Sequence, residues 1–197
     1  MGINLVPDVG NFSIQEVYFQ RIDSTDPVPA GLVRVRNGSV EEGCAPEGHH
    51  RILVFGTEVH NRGDEDLLIG NPSNNPDLFE PADHMPNGWI TKEKLYEYRL
   101  TSNAGDLVAV GFKRAWCIQD HTPKFDCENQ GISVGDHDEY SADQNCQFLV
   151  IDDLQDGEYL FEVIVNQSRI FKEDNYDDNI SMKKLKIRGV IVRVIPQ

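Results

Sequence analysis

The sequence has 197 residues, a length that fits one large domain or two very small ones. With 18 Lys and Arg against 33 Asp and Glu, its formal net charge is −15, which argues against a nucleic-acid partner and against an anionic membrane surface. A hydrophobic fraction of 39% is ordinary for a folded chain and excludes wholesale disorder, and there is no apolar run of about 18 residues that could form a transmembrane helix.

Residues 1–10 lack the basic-then-apolar order of a signal peptide. Short segments rich in β-branched and aromatic residues follow at 14–20, 32–35, 51–60, 95–100, 107–112, 147–151, 159–165 and 184–194. Leu95-Tyr96-Glu97-Tyr98-Arg99-Leu100 and Lys184-Leu185-Lys186-Ile187 alternate as half-buried strands do. Between the segments lie turn formers such as Asn61-Arg62-Gly63-Asp64, Ser102 to Asp106 and Gln155-Asp156-Gly157. Residues 70–88 carry Pro72, Pro76, Pro81 and Pro86 and predict an irregular loop, leaving Trp89 free as a contact residue. No segment keeps a helical apolar period. The pattern predicts an all-β fold, an antiparallel β-sandwich with long loops and few short helical turns. Without a linker to split it, residues 1–197 read as one domain.

Three stretches resemble the catalytic domain of the lysyl oxidase family, copper amine oxidases that act on peptidyl lysine. They are Arg51 through Gly63, Val110 through Asp120, and Gly135 through Asn179. The last includes Asp138-Glu139-Tyr140-Ser141-Ala142-Asp143-Gln144-Asn145-Cys146-Gln147. Pro7-Asp8-Val9 is similar to the start of that domain. The blocks keep the family's order over nearly the whole chain.

The resemblance implies a lysine tyrosylquinone precursor pair, Lys113 and Tyr140. It also implies copper held by three closely spaced histidines just before the strand at 95–100. Here those positions fall at Pro86, Gly88 and Ile90, and none offers a metal-binding side chain. The family's histidine before the lysine is Phe112. Of the six histidines, His49 and His50 are adjacent, but no three share a tight spacing, so His49-His50 reads as a solvated pair. Copper and quinone are therefore not expected, and without them Lys113 reads as a surface cation and Tyr140 as a half-buried strand-edge aromatic.

Residues 172–179 hold four carboxylates and two amide oxygens, the hard donors that calcium prefers. Taken alone, such a run is also what a solvated acidic turn looks like. The resemblance implies a structural calcium site of Glu173, Asn175, Asp178 and Asn179, completed by Asp8 and the carbonyl of Val9. Asp136, Asp138 and Glu139 form a further acidic cluster that could take a second ion. The runs 63–66 and 151–153 read as solvated loops.

Cys44, Cys117, Cys127 and Cys146 permit three pairings. The resemblance selects Cys44–Cys146 and Cys117–Cys127, hence an oxidising, extracellular compartment. Met85 and Asp136 stand where the family has further half-cystines. Sequons at Asn11, Asn37 and Asn166, and at the proposed ligand Asn179, fit a secreted chain. Three functions follow. The first is a non-catalytic, calcium-stabilised structural or assembly module with protein or matrix-like partners. The second is a copper amine oxidase with displaced ligands. The third is a calcium-dependent carbohydrate- or protein-binding sandwich that stacks ligand on Trp89 or Trp116, although Trp116 beside Cys117 reads better as core.

Overall fold

The computed structural model describes residues 2–35 and 38–196. Its strands are β1 (Leu5–Phe19), β2 (Val33–Val35), β3 (Gly48–Asn61), β4 (Leu67–Gly70), β5 (Phe79–Pro81), β6 (Trp89–Thr91), β7 (Lys94–Ser102), β8 (Leu107–Arg114), β9 (Gln130–Ile132), β10 (His137–Tyr140), β11 (Phe148–Val150), β12 (Gly157–Val165), β13 (Ile180–Arg188) and β14 (Ile191–Ile195). One sheet runs β10-β3-β1-β2, with β11 also on β3; the other runs β14-β13-β12-β7-β8. The pairings are antiparallel except β1 with β2, which is parallel. Two ribbons, β4–β9 and β5–β6, stand apart from the sheets.

The sheets meet face to face. Phe12 and Phe55 of the first sheet both set their rings edge-on against Phe161 of the second, at 5.1 and 4.6 Å between centroids. Around them one apolar cluster takes Val9, Ile14 and Leu53 from one side and Tyr98, Val163 and Leu185 from the other. β3 is buried on both faces, which is why 52–55 reads as a continuous apolar run. Leu53 and Phe55 face the opposing sheet, while Ile52 and Val54 pack on Val17, Phe19 and Phe148 in a second cluster. β1 changes phase to serve both. Its ladder shifts between Gly10 and Ser13, where Asn11 has a positive φ of 56°, so Val9 faces one cluster and Val17 the other.

Three expectations change. The segment 184–194 is not one strand. Gly189, at φ 54°, turns the chain so that Arg188 pairs with Ile191 in a tight hairpin. Residues 70–88 are not wholly irregular: Pro72–Asn74 forms a 3-10 turn, and β5 pairs with β6. Trp89 thus lies half-buried in a ribbon, opposite Pro81, not on a free loop. Trp116 is half-buried against both the main core and the small cluster of Ala82, Met85 and Ile90. Neither tryptophan is fully exposed.

Both disulfides form as expected. Cys44–Cys146 spans 102 residues and Cys117–Cys127 spans 10, and there are no free cysteines. No helix among the described residues is long and apolar enough to cross a membrane.

Candidate functional site

Lys113 lies near the end of β8 with its side chain turned inward, fully buried at 0% exposure rather than a surface cation. Its Nζ donates to the Asn145 carbonyl at 2.8 Å and sits 4.7 Å from the centroid of the Tyr140 ring. Tyr140 ends β10 and is also buried, at 2% exposure rather than half-exposed. Its hydroxyl donates to the Trp116 carbonyl at 3.2 Å, and the Tyr96 ring meets it edge-on at 5.5 Å. Glu42 and Asp138 bring two buried carboxylates to the same pocket, and Asn145 Nδ2 donates to Glu42. His84 Nε2 lies 3.6 Å from Glu42.

Burial penalises each charge here and mutual attraction favours it. Desolvation raises Glu42 to about 7 against the pull of Lys113. It raises Asp138 to about 8, and lowers the Lys113 ammonium to about 8 against the pull of both acids. The consequence for stability has a definite sign. The stability that Glu42 supplies is complete below its ordinary 4.5 and is lost as pH rises through about 7. Asp138 acts likewise from 3.8 through about 8. Lys113 works oppositely, its deficit easing as pH rises from about 8 to 10.5. Asp66, lowered by its ion pair with Lys124, adds stability that is lost as pH falls through its folded-state pKa, below 3.8. Calorimetry should therefore find the melting temperature falling between about pH 5 and about 8, with Glu42→Gln flattening the fall. A steady rise across that range would contradict the assignment.

The acidic octet meets the start of the chain. Glu173, 6% exposed, accepts from the Leu5 N–H at 2.5 Å, from Asn166 Nδ2 at 2.5 Å and from Asn179 Nδ2 at 2.8 Å. Burial, the largest influence on it, raises its pKa. Asp174 N–H donates to the Ile3 carbonyl at 3.0 Å. Asp178 accepts from Asn4 Nδ2 at 3.0 Å and from Asn175 Nδ2 at 2.8 Å. Glu173 and Asn179 are therefore together, and so are Asn175 and Asp178. Asp8 instead reaches Lys183 at 3.1 Å, and Val9 belongs to the β1–β3 ladder opposite Thr57. The segment that meets the octet is 3–5, which no local feature of the sequence marks out. Two amide oxygens there, Asn4 Oδ1 and Asn179 Oδ1, are buried without a hydrogen-bond partner. Each belongs to an amide whose nitrogen donates to Asp178 or Glu173, so flipping the amide would turn its oxygen to the carboxylate, the arrangement a hard cation would satisfy.

Other assignments sort by strand alternation. Asp138 turns inward and Glu139 outward, while Asp136 takes the Thr122 and His137 N–H groups, so these three do not converge on an ion. His49 and His50 point to opposite faces and pair with different carboxylates, Glu16 at 2.7 Å and Asp152 at 2.8 Å. The runs 63–66 and 151–153 are more than solvated loops: Asp66 pairs with Lys124 and accepts from the Val134 N–H at 2.9 Å, and Asp152 accepts from the Arg51 N–H at 2.8 Å. Asn166 is fully buried and Asn179 is 4% exposed, which closes both sequons; Asn11 is exposed, and Asn37 lies outside the described residues.

The lysyl oxidase family model matches residues 35–196. The chain belongs to the lysyl oxidase family. It is 32% identical over 151 residues to lysyl oxidase homolog 2 of Rattus norvegicus and 31% identical to those of Gallus gallus and Homo sapiens. Each alignment covers 72% of this chain but 19% of the relative, so the chain spans about a fifth of the proteins it matches. A solved CARDB domain from Pyrococcus furiosus is 10% identical with a TM-score of 0.31, covering 92% of this chain and 88% of that one, too slight a likeness to support any argument.

The positions that the resemblance assigns to the family's copper histidines do not fit the metal. Gly88 has no side chain and a φ of 74°, and Ile90 is 1% exposed in the apolar cluster with Met85. Pro86 has no donor.

Proposed function

We propose that this lysyl oxidase domain is a non-catalytic, extracellular structural or assembly module, stabilised by calcium and two disulfides, with other proteins or a matrix-like assembly as its partners. The observation that carries the reading is the apolar replacement at Pro86, Gly88 and Ile90, where copper would need imidazoles. A quinone made from Tyr140 requires copper-driven oxidation of the ring, so losing the ligands removes the route to the cofactor. The two disulfides support an oxidising compartment. Calcium is supported by the carboxylates of Glu173 and Asp178 and the unpartnered oxygens of Asn4 and Asn179. These residues would hold the ion, which would neutralise repelling charges and fasten residues 3–5 to the far end of the chain.

A copper-dependent amine oxidase with displaced ligands is the second reading. What favours it is the 4.7 Å approach of Lys113 Nζ to the Tyr140 ring, the proximity a crosslink needs. Protein produced with copper supplementation separates the two. On the first reading no peroxide is released with an amine substrate, and residues 113 and 140 remain unlinked. Turnover accompanied by stoichiometric copper would establish the second.

A further inference from the structure

The copper positions are not where this domain gathers its histidines. Facing away from the Lys113 pocket, on the outer side of β10 and β3, three imidazoles form a column. His137 lies opposite His60 in the strand register, with ring centroids 4.9 Å apart. His121 stacks on the other side of His137, also at 4.9 Å and only 14° from parallel. The His121 N–H donates to the His137 carbonyl at 2.9 Å, and the next residue, Thr122, is held by Asp136. The loop is thus fixed to the strand by backbone bonds, independently of the rings. Glu139, two residues along β10, shares the face of His137.

We propose that His121, His137 and Glu139 form a binding site for a divalent transition-metal ion of the zinc class. Their ligand-capable atoms all lie within 4.8 Å of one another, so small side-chain rotations bring them around one ion. Two imidazoles and a carboxylate suit zinc or copper(II), whereas calcium prefers oxygen alone. The surrounding residues support the assignment. His137 Nδ1 is 3.5 Å from the Asp136 carboxylate, which places a negative charge behind a metal-binding imidazole as outer carboxylates commonly do. Glu139 is paired directly across from Glu58, a like-charge juxtaposition that costs stability unless a cation lies nearby. His60 Nε2 already serves Glu58 at 3.0 Å, so His60 packs behind His137 without being a ligand. Three protein ligands leave at least one position for water. Strand alternation turns Tyr140 to the opposite side of β10, so the ion would be separate from any chemistry at Lys113 and Tyr140. Its role is to pin the disulfide-closed segment after β8 to β10.

Titration calorimetry with zinc chloride, and separately with copper(II) chloride, tests the site on protein that first has calcium added to saturation. The expected result is one zinc or copper equivalent bound, with affinity falling at least about tenfold in His137→Ala and in His121→Ala. Glu139→Gln should also weaken it, while His49→Ala, which alters a distant exposed imidazole, and His60→Phe, which keeps the stack, should leave it intact. Zinc should raise the melting temperature of the native sequence but not of His121→Ala, a change on an exposed loop that leaves the core untouched. Absence of binding, binding unchanged in both His121→Ala and His137→Ala, or binding lost in His49→Ala would each overturn the proposal.

Discussion

Removing the Cys44–Cys146 bridge, as the double substitution Cys44→Ala and Cys146→Ala, should cost about 3 to 5 kcal/mol of folding stability. The disulfide closes a loop of 102 residues, and freeing so long a loop returns the most entropy to the unfolded chain. For a domain of this size that is a fall of about 6 to 20 °C in melting temperature. The same bridge holds residues 38–46 over the second apolar cluster, where Ala45 packs near Phe148. It also positions the element that carries Glu42 beside Asn145. Melting should therefore be accompanied by loss of the pH dependence that Glu42 contributes. The Cys117–Cys127 bridge closes only 10 residues and its removal should cost less. Calorimetry of the two double variants checks the order, and equal losses would contradict it.

Glu173→Ala should be the most damaging single substitution at the octet, at about 3 to 5 kcal/mol. Three donors, the Leu5 N–H and the Asn166 and Asn179 amides, lose their acceptor together inside the protein. The segment 3–5 loses its anchor at the same time. Under the calcium proposal a second effect follows. A chelator should lower the melting temperature of the native sequence by an amount that grows with calcium affinity, about 2.7 kcal/mol where the ion had been at a hundred times its Kd. The chelator should do nothing further to Glu173→Ala. Asp8→Asn should leave the chelator response in place, since Asp8 is paired with Lys183. If Asp8→Asn abolishes the response while Glu173→Ala retains it, the ion lies elsewhere on β1.

How much of this was legible in the sequence depends on which physical signal each element gives. The long central strands announce themselves through β-branched and aromatic runs, and 51–60 and 159–165 sit inside β3 and β12 as expected. The first half of β1 does not, because Pro7, Asp8 and Gly10 are poor strand residues that the ladder to β3 overrides. The three-residue strands β5, β6 and β9 are too short to show alternation. The resemblance to the family supplied the disulfide pairs, which spacing alone left open. It also points to Lys113 and Tyr140, but not to their burial or to Glu42, which is distant in sequence. The calcium candidates in 173–179 were visible as a charge run, while their partners Asn4 and Leu5 were not, since nothing local distinguishes them from Asp8. The histidine column was hidden for the same reason. His60, His121 and His137 are far apart in the chain, and only the β10–β3 register and one loop bond assemble them. The one local trace was the i, i+2 placement of His137 and Glu139 on a common strand face.

Under the proposed function, this lysyl oxidase domain would have lost the copper-dependent cofactor and kept the fold. Peptide mapping by mass spectrometry of protein produced with copper, after reduction of both disulfides, tests it most directly. The account predicts that the peptides carrying Lys113 and Tyr140 are recovered separately, each at its unmodified mass. A single crosslinked peptide joining Lys113 to an oxidised Tyr140 would contradict it.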